Sequence, residues 1–315
     1  MSTYPTHDPI GVGAVGTHPS TDRGLLAEMP GGGMFQLVAY SDEGSDQPEA
    51  EHESVPYYPD YNVLLEDSAV ELVVVEGPLD RRRDFAVRAL NAGRNVLLRE
   101  PFCETALDAE RVMKTAFHTG LVATMNMPWR DDVDLRALQR ALREENVGRV
   151  HGLHMVWAPH EDMDFPPDGL LPEYGVELLD QVNMVVDQDV GEVRTHALRA
   201  APGRPDEGFT LYLSLRGGGC AVLQAGRYPV EEAPRWLVTT RGATFAVREG
   251  VARVAAGEQR REYSAPAEPD DFWENLYAAV RDGAELKCHP VDIVRAMKLY
   301  EGALESAETG QAAVI

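Results

Sequence analysis

The segment Asn95-Val96-Leu97-Leu98-Arg99-Glu100-Pro101-Phe102 decides the fold of this chain. Its apolar run is short and is typical of a buried strand. The run ends in two charged residues, Arg99 and Glu100, and Pro101 then stops the strand because it has no backbone N–H to donate. A strand of this kind predicts a sheet that is covered on both faces and that collects polar groups where its strands end.

Strands and helices alternate on both sides of this segment. The hydrophobic pattern predicts strands at residues 10–14, 34–40, 70–75, within 95–100 and at 121–125. Helices are predicted between them at about 21–28, 61–67, 80–91 and 106–118. This alternation predicts an α/β domain with a doubly wound parallel sheet and right-handed crossovers, in which ligands bind at the carboxyl ends of the strands.

The carboxyl edge of the predicted sheet collects the residues that we expect to bind a cofactor. They are Gly13, Ala14, Gly16, Asp42, Glu76, Pro78, Arg99 and Pro101. Residues 10–16 match the dinucleotide pattern Gly-x-Gly-x-x-Gly, and we place the strand at 10–14 with the turn after it, because Pro9 cannot extend an earlier strand. Ser20 or Thr21 then caps a helix whose N-terminus faces a pyrophosphate. The alternative is a glycine-rich strand that only packs against a helix.

Asp42 follows the second predicted strand. An acidic residue at this point holds the ribose hydroxyls of a dinucleotide, so that Asp42 predicts NAD rather than NADP as the cofactor. The alternative is that Asp42 only opens the acidic loop that runs to Glu53.

The second half of the chain no longer alternates. Helices are predicted at 131–145 and 175–187, and strands at 150–157, 193–198, 209–215, 219–224, 236–240 and 244–248. Runs of strands joined by glycine turns predict an α+β domain with an open, mostly antiparallel sheet. We therefore predict one domain at 1–127 and another at 128–315, with closing helices at 272–281 and 291–306 that pack back toward the first domain.

The net charge of −23, from 29 basic and 52 acidic residues, limits the possible partners. A chain this acidic would be repelled by nucleic acid and by anionic membrane surfaces. The three cysteines are widely spaced and predict neither a disulfide framework nor a zinc site. Residues 1–9 lack the features of a secretory signal, and no apolar run is long enough to span a membrane. These features predict a cytoplasmic protein.

Several motifs, in order and spacing, resemble the Gfo/Idh/MocA family, the relatives of glucose–fructose oxidoreductase and inositol dehydrogenase. The motifs cover nearly the whole chain and lie at 10–16, 38–42, 70–78, 89–97, 147–150, 173–180, 271–272 and 306–310, together with Arg130. The resemblance implies an NAD(P)-binding Rossmann domain followed by a domain that binds a small polar, sugar- or cyclitol-like substrate. It also implies a homodimer or homotetramer formed through the open sheet.

Two catalytic positions of the family carry different residues in this chain. The family's strand ends in Glu-Lys-Pro, whose lysine helps to move a proton during hydride transfer, and here Glu100 takes its place. The family's second motif, Asp-x-Gly-x-His-x-x-Asp, aligns with residues 173–180. Glu173 then stands for the first acid, Glu177 for the histidine and Asp180 for the last acid, and Tyr174 lies beside them. The resemblance makes these five residues the candidate catalytic group.

The substitutions oppose ordinary dehydrogenation, because a lysine ammonium stabilises a developing alkoxide and a carboxylate does not. Neighbouring carboxylates also repel, so that one of them holds its proton near neutral pH. Four outcomes stay open. They are acid/base chemistry by a carboxylate pair, a cation or amine site at Glu100, Glu177 and Asp180, loss of catalysis, and hydride transfer with Tyr174, Arg99 or Arg130 as the acid.

The sequence thus leads to two hypotheses. The first is an atypical NAD(P)-dependent oxidoreductase that acts on a small polar ligand. The alternative is a non-redox protein on the same scaffold, either an isomerase or lyase or a catalytically silent binding protein that has no cofactor. No dedicated metal site is predicted, and whether the chain is an enzyme stays open at this point.

Overall fold

The computed structural model describes residues 8–19, 24–30, 33–43, 54–146, 148–159, 166–186, 188–201, 203–227, 233–267 and 272–315. The chain forms two compact units. The first comprises Met1–Met127 and Asp270–Met297, and the second comprises Pro128–Pro269 and Lys298–Ile315. The sequence-based division had 270–297 in the second domain, whereas in the structure this segment lies in the first unit.

The bounds of the elements follow in chain order. The strands are β1 Ile10–Val15, β2 Phe35–Ser41, β3 Leu72–Val75, β4 Asn95–Leu98, β5 Ala123–Met125, β6 Val150–Trp157, β7 Val190–Arg199, β8 Asp206–Leu215, β9 Cys220–Gly226, β10 Trp236–Thr240, β11 Thr244–Arg248, β12 Val251–Ala256, β13 Gln259–Ser264 and β14 Ala313–Val314. The helices are α1 Leu25–Glu28, α2 Tyr61–Glu66, α3 Leu79–Asn91, α4 Ala106–Thr119, α5 Val133–Glu145, α6 Leu170–Val185, α7 Phe272–Asp282 and α8 Pro290–Thr309, with a 3-10 turn at Pro128–Asp131.

The sheet of the first unit has five parallel strands in the order β2-β1-β3-β4-β5. All residues of β1, β3 and β5 are buried, as are the last three of β4. This burial follows from the continuous apolar runs of these strands, which suit a sheet covered on both faces. The predicted doubly wound parallel sheet is therefore confirmed.

Two helices of the first unit depart from the prediction, α1 in where it begins and α7 in the unit to which it belongs. α1 begins at Leu25 rather than at about 21, because Gly24 before it has a φ of +89° and is not helical, and the proposed cap residues Ser20 and Thr21 lie outside the described residues. α7 belongs to this unit because Leu276 and Tyr277 join the apolar cluster of β1 and β3. An ion pair between the guanidinium of Arg281 and the carboxylate of Glu71 adds a polar contact at 2.5 Å.

The second unit contains a sheet of nine strands in the order β13-β12-β11-β10-β6-β9-β8-β7-β14. Only the pairing of β6 with β9 is parallel among these neighbours. α5 contacts β11, β12 and β13, and α6 contacts β8 and β9. The predicted open and mostly antiparallel sheet is confirmed. Within the described ranges, no helix combines the length and the apolar composition needed to cross a membrane.

Two local predictions in this unit are wrong for a physical reason. α6 begins at Leu170 rather than at 175, because the carboxylate Oδ1 of Asp206 accepts a hydrogen bond from the Leu171 amide at 3.1 Å and caps the helix from 35 positions along the chain. β12 and β13 were not predicted. β13 is exposed at nearly every residue, so its sequence lacks the apolar alternation of a half-buried strand.

Candidate functional site

The glycines predicted to bind a cofactor lie in and after β1. Gly13 and Ala14 are inside the buried strand, and Gly16 follows it with a φ of +75°, a conformation that favours glycine. A Cβ on Gly13 would lie 2.9 Å from a side-chain carbon of Leu64, and a Cβ on Gly16 would lie 2.3 Å from the Cα of Gly77. Close packing against α2 and against the turn after β3 is therefore enough to require both glycines, whatever ligand lies beyond them.

Asp42 lies at the carboxyl end of β2, as predicted. The hydroxyl of Tyr57 donates a hydrogen bond to its Oδ1 at 2.6 Å. Sequence reasoning missed Tyr57 because the two residues are separated by 15 positions and because no periodic pattern connects them. The site at this strand end therefore contains a carboxylate with a fixed neutral partner.

Glu76 and Pro78 follow β3. Pro78 immediately precedes α3, and the carboxylate Oε1 of Glu76 accepts a hydrogen bond from the backbone N–H of Leu25. Glu28, which the sequence did not single out, lies close by and accepts a hydrogen bond from the Asn126 amide at 2.8 Å. Burial raises the pKa of Glu28, while the nearby charges of Arg99 and Glu76 act in opposite directions on it. This edge of the sheet thus carries a local excess of carboxylates.

Arg99, Glu100 and Pro101 follow β4, and the peptide between Glu100 and Pro101 is cis. Burial raises the pKa of Glu100 to about 7. The guanidinium of Arg99, whose Nε lies 3.8 Å from Oε1 of Glu100, opposes that rise, and the charge of Glu28 adds to it. Glu100 is therefore a carboxyl group that changes its protonation near neutral pH, which is the range required of a general acid or base.

A buried arginine fixes the backbone on both sides of Glu100. Arg82 on α3 is 8% exposed and donates to the carbonyl oxygens of Gly77 at 3.0 Å, Arg99 at 2.9 Å and Pro101 at 2.5 Å. No sequence pattern indicates this role, because Arg82 is the middle residue of the run Arg81-Arg82-Arg83, which is typical of a solvated helix face. Its contacts join the turn after β3 to the turn after β4.

In the second unit, α6 carries the other predicted catalytic residues. Glu173, Glu177 and Asp180 are spaced by four and three residues, and this spacing places them along one face of the helix. Glu177 is 5% exposed and Asp180 is 1% exposed. The helix therefore brings these carboxylates together, with Tyr174 beside the first of them, whereas Glu100 belongs to the first unit.

Asp180 forms a bidentate ion pair with Arg130. The guanidinium Nε and Nη2 of Arg130 lie 2.6 Å from Oδ2 and Oδ1 of the carboxylate. Two parallel hydrogen bonds to a buried carboxylate are among the strong polar contacts of proteins. Because a guanidinium already balances the charge of Asp180, this residue is a poor candidate for binding a further cation.

An aromatic cluster surrounds Tyr174. Its ring is stacked on Trp129 with 5.4 Å between the centroids and 11° between the planes, and Trp157 packs against both rings. The amide of Gln181 on the next turns of α6 donates to the carbonyl of Trp129 at 2.6 Å. Trp157 and Gln181 were not predicted, because the sequence pattern marks Trp157 only as an apolar strand residue and Gln181 only as a polar helix residue. The cluster holds the Tyr174 end of the α6 face in place.

No group of three or more histidine, cysteine, aspartate or glutamate side chains is arranged to hold a metal ion in the part of the chain that the structure describes. A dinucleotide is the cofactor that the fold implies, and its fit differs between its two ends. At the ribose end, Asp42 supplies an acceptor at the end of β2. At the phosphate end, the N–H of Leu25 is taken by Glu76, so a phosphate there meets a carboxylate. These residues therefore fit a dinucleotide whose phosphate displaces the carboxylate of Glu76 from the Leu25 N–H.

Comparisons with known proteins agree with this arrangement. Residues 10–127 match the family model described as an oxidoreductase family with an NAD-binding Rossmann fold. The chain is 27% identical over 213 residues to inositol 2-dehydrogenase 2 of Saccharopolyspora erythraea, a match that covers 65% of this chain and 62% of that enzyme. It is 25% identical over 194 residues to the uncharacterized oxidoreductase YhhX of Escherichia coli, which covers 59% of this chain and 55% of the relative. Each match thus spans less than two thirds of the relative.

A solved structure extends the likeness in fold to nearly the whole chain. The NAD-binding protein from Listeria innocua superimposes with a TM-score of 0.75 over 97% of this chain and 96% of its own, at 20% identity. An identity this low supports the shared fold alone. The shared fold therefore extends over both units of this chain.

Proposed function

We propose that this chain, whose residues 10–127 match the model of the Gfo/Idh/MocA oxidoreductase family, is an NAD-dependent oxidoreductase in which Glu100 moves the proton. The substrate class in this proposal is a small polar alcohol, sugar- or cyclitol-like. The observation that carries the proposal is the position of Glu100 directly after β4, where burial raises its pKa to about 7. Ligands of parallel sheets bind at this edge.

Oxidation of an alcohol releases a proton from the hydroxyl as hydride leaves the carbon. When bound, the nicotinamide ring supplies the hydride acceptor. A carboxylate Oε of Glu100 is a suitable acceptor for the hydroxyl proton, since a base works best when its pKa lies near the operating pH. Arg99 and Arg82, the nearby cations, support the charged form of the base, and Arg82 also holds the backbone around it.

The carboxylates of α6 favour a substrate that carries several hydroxyl groups. Carboxylate oxygens accept hydrogen bonds from hydroxyl groups, and Glu173 and Glu177 offer them from one helix face. The name inositol 2-dehydrogenase 2, carried by the relative in Saccharopolyspora erythraea, points to the same class of ligand. We therefore propose that Glu173, Tyr174, Glu177 and Asp180 bind the substrate, with Asp180 held by Arg130.

Titration with reduced dinucleotides tests the proposal. We expect NADH to bind and NADPH to bind at least about tenfold more weakly, because the charge of Asp42 repels a 2′-phosphate. The readout is NADH fluorescence with isothermal calorimetry as a second method. If neither dinucleotide binds at millimolar concentration, the oxidoreductase proposal fails and the silent binding protein replaces it.

The contact between the Glu76 carboxylate and the Leu25 N–H favours the second candidate, the silent binding protein, because that N–H is then not available to a phosphate. We predict that Glu76→Ala raises NADH affinity about tenfold, because it frees that N–H and removes a negative charge near the phosphates. Exposed Glu66→Gln, which changes the net charge by the same amount elsewhere, is the control and should leave the dissociation constant unchanged. Equal or weaker binding by Glu76→Ala would contradict the inferred competition.

The partners and the location stay predictions. They are a small-molecule substrate, no nucleic acid, no membrane, a cytoplasmic location, and a homodimer or homotetramer. For the last of these, Tyr212, Val222, His154 and Leu237 follow one another across β8, β9, β6 and β10 on one face of the large sheet. Tyr212 and Leu237 are 48% and 38% exposed, and exposed large hydrophobic side chains on one sheet face favour coverage by a second copy.

A further inference from the structure

We propose that Tyr57 is a positioning residue that sets the preference for NAD over NADP by holding the carboxylate of Asp42. This inference rests on the proposed function, since it concerns the ribose end of the same cofactor. Nothing in the motif that led to Asp42 includes Tyr57. The inference starts from the contact between the Tyr57 hydroxyl and Oδ1 of Asp42 at 2.6 Å.

The backbone around Tyr57 is attached to the edge of the parallel sheet. β2 is the outer strand, and Tyr40 within it donates its N–H to the carbonyl of Pro56 at 3.0 Å and accepts the N–H of Tyr58 at 2.9 Å. The ring of Tyr57 also packs against the buried ring of Tyr40, with 5.1 Å between their centroids. Backbone and ring together therefore fix where the Tyr57 hydroxyl points.

Fixing one oxygen of Asp42 determines the direction of the other. The terminal torsion of an aspartate is broad, so an unrestrained carboxylate can turn away from a ligand at little cost. With Oδ1 held by Tyr57, Oδ2 is left to accept a ribose hydroxyl. Tyrosine donates without adding a positive charge, unlike lysine or arginine, so the pair remains repulsive to a 2′-phosphate.

Glu43 shows by contrast why Asp42 is the carboxylate that matters here. Glu43 accepts hydrogen bonds from Arg81 at 3.3 Å, from Arg88 at 3.1 Å and from the Tyr61 amide at 3.0 Å. Burial would raise the pKa of Glu43, but these hydrogen bonds and the positive charges outweigh it and lower the pKa. The charge of Glu43 is therefore balanced within the fold, and Asp42 carries the discrimination.

The test compares Tyr57→Phe with Tyr58→Phe. Both changes remove one phenolic hydroxyl, and the control hydroxyl of Tyr58 donates to Oδ2 of Asp67 at 2.9 Å instead. Dissociation constants of NADH and NADPH are measured by fluorescence and calorimetry for each protein. We expect the ratio of the NADPH to the NADH constant to fall about tenfold in Tyr57→Phe and to stay unchanged in Tyr58→Phe.

A double-mutant cycle with Asp42→Ala separates positioning from general loosening. In the Asp42→Ala background, Tyr57→Phe should leave the ratio unchanged, because the group that Tyr57 holds is already absent. A Tyr57→Phe protein that binds both dinucleotides with the wild-type ratio overturns the inference while the proposed function stands. If the wild-type protein binds neither dinucleotide, the proposed function itself fails. Should Tyr57→Phe unfold, Tyr57→Leu, which also lacks the hydroxyl that contacts Asp42, must lower the ratio by a similar factor or the inference is wrong.

Discussion

Glu100→Gln is expected to lower kcat for alcohol oxidation by about 10²- to 10⁴-fold, the usual contribution of a general base. Glutamine keeps the size of the side chain and its hydrogen-bonding oxygen, but it cannot accept a proton. The measurement is steady-state formation of NADH with myo-inositol and glucose as the first substrates. Dinucleotide affinity should change little, since the loss concerns proton transfer rather than binding.

The pH dependence of kcat/KM tests whether Glu100 is the base. Burial raises the pKa of Glu100 to about 7. As a base it must be deprotonated, so kcat/KM for oxidation should rise tenfold per pH unit below about 7 and level off above it. The reverse reaction needs the protonated acid and should therefore decline as pH rises through the same value. The rise in oxidation should be absent in Glu100→Gln.

A neighbouring glutamate supplies the matched control. Glu104 is exposed and lies four positions further along the chain, so Glu104→Gln makes the same chemical change without reaching the end of β4. It should keep the wild-type kcat and the wild-type pH profile. Full activity in Glu100→Gln, with an unchanged profile, would remove Glu100 from the chemistry and leave the substituted lysine position without a catalytic role.

Glu100→Gln should also be more stable than the wild-type protein at high pH. The pKa of Glu100 is higher in the folded protein than in the unfolded chain, so the folded state binds more protons between the ordinary glutamate value of 4.5 and about 7. The free energy of unfolding therefore falls as pH rises through this window, and glutamine is free of that loss. We expect Glu100→Gln to be more stable than wild type above about pH 7, by about 1 to 3 kcal/mol in urea unfolding, and about equally stable at low pH.

The fold could be predicted from the sequence wherever burial imposes a local pattern. The apolar runs of β3 and β4 are continuous because both faces of the sheet are covered, and Asp42 and Glu100 could be placed because they directly follow such runs. The start of α6 could not, since its cap comes from Asp206, a residue distant in the chain. Local periodicity contains no information about such a partner.

The site was predictable in its acidic residues and not in the groups that control them. Tyr57, Arg82 and Glu28 each act through contacts between segments that are far apart in sequence. Arg82 in particular is one of three consecutive arginines, and only the folded backbone decides which of them is buried. The pKa of Glu100 likewise depends first on burial, which a motif does not specify.

Arg130→Met is expected to lower the free energy of unfolding by about 3 to 5 kcal/mol, the usual cost of removing one partner from a buried ion pair. The side chains of Arg130 and Asp180 are 10% and 2% exposed, and their two contacts are 2.6 Å long. Water cannot replace the guanidinium at this depth, so the carboxylate loses its principal counter-charge. Urea denaturation of wild type and variant measures the difference.

A control variant and a double variant separate the effect of burial on the ion pair from the effect of its charges. Arg140→Met removes an ion pair with Glu144 on α5, whose side chains are 42% and 48% exposed, and an exposed hydrogen bond to the Ser264 carbonyl at 3.2 Å, and it should cost no more than about 1 kcal/mol. The double variant Arg130→Met with Asp180→Leu removes both charges and should recover most of the loss, because apolar groups of similar volume can replace a buried pair. If Arg130→Met lowers the free energy of unfolding no more than Arg140→Met does, then Arg130 does not stabilise the carboxylate of Asp180. Asp180 would then become available to a ligand cation again, the role that the bidentate contact argues against.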